Sequence, residues 1–97
     1  MDMKEFYNKY NLNKNAFAPI AGVGISTLGK YMEGKAIRED SRLRIEKAMR
    51  LAEKYNLVRP RYDHDAAFHE GRWYKSEFYR EVCRYEKEFK EIIKREL

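Results

Sequence analysis

Most of the residues able to do chemistry in this chain are not spaced as a reactive site requires. His64 and His69 stand among Asp63, Asp65 and Glu70. Being five residues apart, they miss the i, i+4 spacing that sets a zinc pair on one helical face, and no cysteine pair completes a tetrahedral site. No metal is expected. Cys83 is the single cysteine, so it forms no disulfide within the chain and reads as a small apolar filler. No glycine-rich phosphate loop is present, and no Ser, His and Asp surround a recognisable elbow. An enzyme is therefore not expected, nor a cofactor or a small-molecule substrate. The basic residues are more suggestive. Lys30, Lys35, Arg38, Arg42 and Arg44 gather in one stretch, interrupted by Glu39 and Asp40. Such a group suits phosphates, whose neutralisation releases condensed counterions, and it makes Arg38 and Arg42 candidate phosphate contacts.

Composition limits what can position these groups. At 97 residues the chain has material for one modest core, and 43% of its residues are hydrophobic, five Phe and eight Tyr among them. The net charge is +5, and it is uneven. Residues 1–58 carry 11 basic and 7 acidic side chains, whereas 59–97 carry 10 and 9. This permits a polyanionic partner near the first part of the chain. No apolar run reaches the length of a membrane span, and Met1-Asp2-Met3-Lys4-Glu5 lacks the basic then apolar order of a signal peptide. A cytoplasmic protein with no membrane partner is expected.

The hydrophobic periodicity is helical throughout, which predicts an all-α fold. Met3, Phe6, Tyr7 and Tyr10 share one face of a helix over 2–10, with Asp2 as N-cap and Asn11 able to leave it in the left-handed conformation. Asn13 can cap a second helix over 14–21 whose apolar positions are Ala16, Phe17, Ile20 and Ala21. Gly22-Val23-Gly24 breaks it. Leu28, Tyr31 and Met32 mark the inner side of a third helix over 25–33, and Ile45, Ala48, Met49, Ala52 and Tyr55 that of a fourth over 41–55. Two local costs stand out: Gly29 weakens helix 3 by about 1 kcal/mol relative to Ala, and Pro19 removes a backbone bond from helix 2. Residues 59–72 show no sustained period and read as a linker, with a helical turn at 66–70. A long amphipathic helix over 73–97 closes the chain.

A short helix, a turn containing glycine and a second short helix is an arrangement that can brace one helix on a DNA backbone and lay the next in the major groove. The stretch from Leu12 to Lys35, with its turn Ala21-Gly22-Val23 and its closing Gly34-Lys35, resembles the helix-turn-helix of the phage-repressor and Cro (XRE-like) family. The resemblance covers about residues 1–58. It implies a transcriptional regulator that binds double-stranded DNA, in which Ile25, Ser26 and Lys30 face base edges. Lys14, Thr27 and Lys35 would approach phosphates, and the start of helix 2 at Lys14 and Asn15 would present backbone N–H groups to another. A protein–protein adaptor that keeps the fold is the alternative.

The last helix carries a stripe of Phe78, Val82, Tyr85, Phe89 and Ile92. Spacings of four, three, four and three suit either packing on the first helices or pairing with a second copy. Because a helix of about 24 residues is on the order of 36 Å long and would overhang so small a domain, a homodimer is expected from it.

Overall fold

The first four helices begin and end for local reasons. The computed structural model describes residues 2–61 and 72–96, with the side chains of the second stretch described from Phe78 onward. In α1 (Met3–Tyr10), extended Asp2 accepts the Glu5 N–H on Oδ1 at 2.9 Å. Asn13 does the same for α2 (Lys14–Ala21), accepting the Ala16 N–H at 2.8 Å. Both bonds satisfy a donor that has no partner inside its helix. α3 (Ile25–Met32) and α4 (Glu39–Tyr55) have no side-chain cap. α4 starts two residues before the expected position, because Glu39 and Asp40, read as loop, form its first turn and put negative charge at the positive end of the helix dipole.

One device ends all four helices. Asn11, Gly22, Gly34 and Asn56 adopt φ of 53°, 77°, 76° and 52°, in the left-handed region. The next residue then reaches back five positions: Leu12 N–H donates to Tyr7 O (2.9 Å), Val23 to Ala18 O (3.1 Å), Lys35 to Lys30 O (2.9 Å) and Leu57 to Ala52 O (3.0 Å). This Schellman pattern satisfies carbonyls that the helix itself leaves unpaired. After α1, α2 and α4 the reaching residue is apolar and turns into the protein: Leu12 is in the core, with Val23 and Leu57 packed against it. After α3 it is Lys35, which is exposed.

α2 packs against α3, α4 and the last helix, α5 (Arg72–Arg95). Phe17, fully buried, lies 5.1 Å from the Phe6 ring centroid, and Phe6 lies 5.0 Å from Tyr10. Leu28, Ile45, Ala48 and Ala52 complete the inner faces of α3 and α4. Pro19 stays within α2 at an exposed position, so the helix forgoes one backbone bond there. Described residues contain no strand, so the fold is all-α.

α5 belongs to the same core. Tyr85 and Phe89, edge to face at 5.9 Å, join the central cluster, and Val82 and Ile92 are buried beside them. Of the two roles the spacing allows, packing on the first helices is the one these contacts display. α5 packs on α2 and α4 of its own chain, Val82, Tyr85, Phe89 and Ile92 are buried, and Phe78 stands half-buried at the stripe's start. The Tyr85 hydroxyl donates to Leu57 O at 2.9 Å, tying α5 to the end of α4. Where the chain leaves α4, Arg59 N–H donates to Tyr10 O (2.9 Å), and the Asn11 side-chain amide donates to the Arg59 and Pro60 carbonyls (3.1 Å each). The helical turn expected at 66–70 lies outside the described residues.

Three further positions differ from expectation. Tyr55, placed on a core face by spacing, is 43% exposed and donates its hydroxyl to Glu96 Oε1 at 2.7 Å. That bond and Lys54 hold the Glu96 carboxyl below the usual range. Met32 is 42% exposed, its Sδ accepting from the Tyr7 hydroxyl at 3.3 Å. Cys83 is exposed rather than a filler.

Phe17→Ala removes the ring on which α1 and α2 meet, and should cost about 3–5 kcal/mol in denaturant unfolding, a large share of the stability of a domain this small. A second expectation concerns alkaline pH. Burial pushes the Tyr7 phenol up from 10.0 to about 12 and raises Tyr85 too, so the fold favours the neutral phenols. Their contribution is complete below pH 10.0 and is lost as pH rises through the folded values. Stability followed by circular dichroism should fall above pH 10, and fall less steeply in Tyr85→Phe. At neutral pH that variant should be weaker by about 1 kcal/mol through its lost hydrogen bond.

Candidate nucleic-acid interface

α3 is the helix with the least to hide. Of its residues Leu28 is buried, while Thr27, Gly29 and Tyr31 are half-buried. Ile25, Ser26 and Lys30 all point to solvent, as do Met32 and Glu33 beyond them. Ile25, at 47% exposure, is therefore not a core residue of its own turn. Gly24 enters the helix extended and offers no side chain to the first turn, so the N–H groups there are left to solvent or to an external acceptor.

The residues expected at DNA fall into three groups, with Arg38 in two of them. Lys14, at the start of α2, lays its stem across α3, where a Cβ added to Gly29 would meet its Cδ and Nζ at 4.0 Å. The two helices thereby bring Lys14 beside the face that carries Lys30, and neither lysine has an ion-pair partner among the described residues. Asn15 is exposed next to it. Thr27, Lys30 and Arg38 meet elsewhere, around a cleft of about 520 Å³ completed by Ala36, Ile37 and Ser41. Ser41 was not anticipated as part of the site. It enters because the first turn of α4 lines the same cleft as Thr27 and Lys30 of α3.

The third group is held by acids. Lys35 Nζ lies 2.9 Å from Glu33, and Arg38 Nε lies 3.4 Å from Asp40. These side chains are 66% and 86% exposed, and surface pairs of this sort contribute about 0–1 kcal/mol, so a phosphate can displace the carboxylate. Arg42 is different. It bridges Glu39 at 3.1 Å and Glu46 at 3.2 Å within α4, its charge matched twice over. A phosphate at Arg42 would therefore compete with two carboxylates rather than one. The Tyr31 phenol beside this network is raised by burial first and by Glu46 second, while Arg42 acts in the opposite sense.

No group of three His, Cys, Asp or Glu among the described residues is placed to hold a metal ion, and His64 and His69 lie outside them. None of the described helices is long and apolar enough to cross a membrane. No protein-family model, curated protein or solved structure matches the chain.

The two glycines of this region should respond in opposite directions. Gly34 has φ +76° and nothing within 4 Å of an added Cβ, so Gly34→Ala tests backbone strain alone and should cost about 1 kcal/mol. Gly29 lies within α3 with only ordinary contact at 4.0 Å, so Gly29→Ala should stabilise by up to about 1 kcal/mol. Thermal melting of the two variants checks both signs.

Proposed function

We propose that the chain is a helix-turn-helix DNA-binding protein, of the phage-repressor and Cro (XRE-like) kind that residues 1–58 resemble, and that it regulates transcription by laying α3 in the major groove of double-stranded DNA. The observation that supports this reading is the surface of α3. A helix of eight residues buries Leu28 alone and turns Ile25, Ser26 and Lys30 outward, while its C-terminal turn is closed by an exposed lysine instead of an apolar anchor. In this reading Ile25 meets a thymine methyl, Ser26 hydrogen-bonds a base edge or phosphate, and Lys30 reaches guanine O6 or N7. Lys14, Lys35 and Arg38 neutralise phosphates, helped by the Thr27 hydroxyl and by the backbone N–H groups of Lys14 and Asn15. A cytoplasmic place of action belongs to the same proposal. A homodimer is part of the same proposal, and light scattering at twice the chain mass of 11.8 kDa tests it.

A second reading has its own support. Ile25 and Met32 are 47% and 42% exposed on α3, and an adaptor would cover them with the apolar surface of a protein partner.

Fluorescence anisotropy of a labelled random duplex at two salt concentrations separates the readings. A DNA-binding protein should lose affinity steeply with salt, the log–log slope being about −0.9 for each phosphate neutralised. Lys30→Glu with Lys35→Glu should weaken binding by more than about tenfold and flatten the slope by roughly 1 unit, for the phosphate contact of Lys35, with melting temperature nearly unchanged. Absence of duplex binding at low salt would remove the DNA reading and leave the adaptor.

A further inference from the structure

A pocket of about 290 Å³ opens where α2, α4 and α5 meet. Its floor is apolar: Ile20, Ala21 and Ile93 line it, with Gly22 at one end. Its rim is cationic. Arg44 and Lys47 stand on α4, one turn apart, and Lys90 and Lys94 stand on α5, again one turn apart, so that the two helices present paired bases across the opening. Among the described residues, no carboxylate lines the pocket. Arg44 is fixed at the mouth by donating from Nη1 to Gly22 O at 3.1 Å.

The acids of the neighbourhood lie outside the pocket. Glu96, whose carboxylate feels Lys47, is bound by the Tyr55 hydroxyl at 2.7 Å and by Lys54 at 3.5 Å. Glu86 and Glu91 line an adjoining cleft on the other side of Lys90 and Lys94, where Lys87 joins them. Four like charges around an apolar hollow repel one another, and an anion with an apolar body relieves both the repulsion and the exposure of the floor.

We propose that this pocket binds a small amphipathic anion, a carboxylate carried on an apolar chain or ring. The apolar body rests on Ile20, Ala21 and Ile93, and the carboxylate lies among Arg44, Lys47, Lys90 and Lys94. The volume stands at the lower limit of small-molecule sites, about 300 Å³, which suits a medium-chain acid. A nucleic-acid phosphate satisfies the rim but leaves the floor uncovered. None of the pocket's residues belongs to the outward face of α3, so the inference stands apart from the DNA reading.

Amide chemical shifts of the whole chain, titrated with octanoate, octylammonium and inorganic phosphate in turn, test it. Octanoate should move the amides of residues 20–23 and 93–94 saturably, with a dissociation constant on the order of 1 mM or tighter. At the same concentrations octylammonium and phosphate should leave them in place. Lys90→Glu with Lys94→Glu should weaken octanoate binding by at least about tenfold, and the milder Lys90→Gln with Lys94→Gln should weaken it in the same direction, each with the wild-type melting profile. An equal response to octylammonium would mean that the floor acts without the rim, and an equal response to phosphate would mean that the rim acts without the floor. Either result, or no saturable response to octanoate, overturns the proposal.

Discussion

Burial of the inner face of α2 is the constraint on which the other elements depend. This helix is two turns long, carries a proline, and would not persist alone in water, since isolated helices shorter than about 12–15 residues are marginal. It persists because Phe17, Ala18, Ile20 and Ala21 are covered from several sides. Phe17 meets the aromatic cluster of α1, and the rest of the face is shared among α3, α4 and α5. Small residues at Ala18 and Ala21 let those helices approach closely. Leu28 can then hold α3 by a single buried side chain, because the turn that delivers it is closed at both ends by hydrogen bonds to α2 and α3 backbone.

Much of this was legible in the chain because the signals are local. Asp2 and Asn13 each precede a helix by one residue and bond its third N–H, and Asn11 and Asn56 tolerate a left-handed φ that ends one. Periodicity sets the phase of a helix but not the width of its covered face, which explains the errors at its edges. Tyr55 and Met32 lie at the margin of apolar stripes, and only the final packing decides that a carboxylate reaches the one and a phenol the other. The stripe of α5 shows the same limit. An apolar row with coiled-coil spacing looks alike whether it covers its own domain or another copy, and the answer depends on α2 and α4 having a vacant face for Tyr85 and Phe89.

Electrostatic organisation was less legible, for a different reason. Residue types in the basic stretch are plain, but pairing depends on where α4 begins. Starting at Glu39, the helix sets Glu39, Arg42 and Glu46 on one face and turns a cation into part of a neutral network. The cationic rim beside Ile93 was invisible for a further reason: Arg44 and Lys47 face Lys90 and Lys94 only after α5 has docked, and no local spacing reports a meeting of residues so distant in the chain.

The hydrogen bonds between Tyr10, Asn11, Arg59 and Pro60 join the end of α1 to the start of the path toward α5, across 48 or 49 residues. Closing a loop of that length has an entropic cost on the order of 3 kcal/mol, so this clasp forms only on helices already assembled between its two sides. Native-state opening inherits that dependence. If α1 detaches, the backbone at Arg59 loses its acceptor and the Pro60 carbonyl its donor, while Leu57, just upstream, is the residue that anchors Tyr85. The first and last helices are thus coupled through the backbone of residues 57–60, although they lie at opposite ends of the chain.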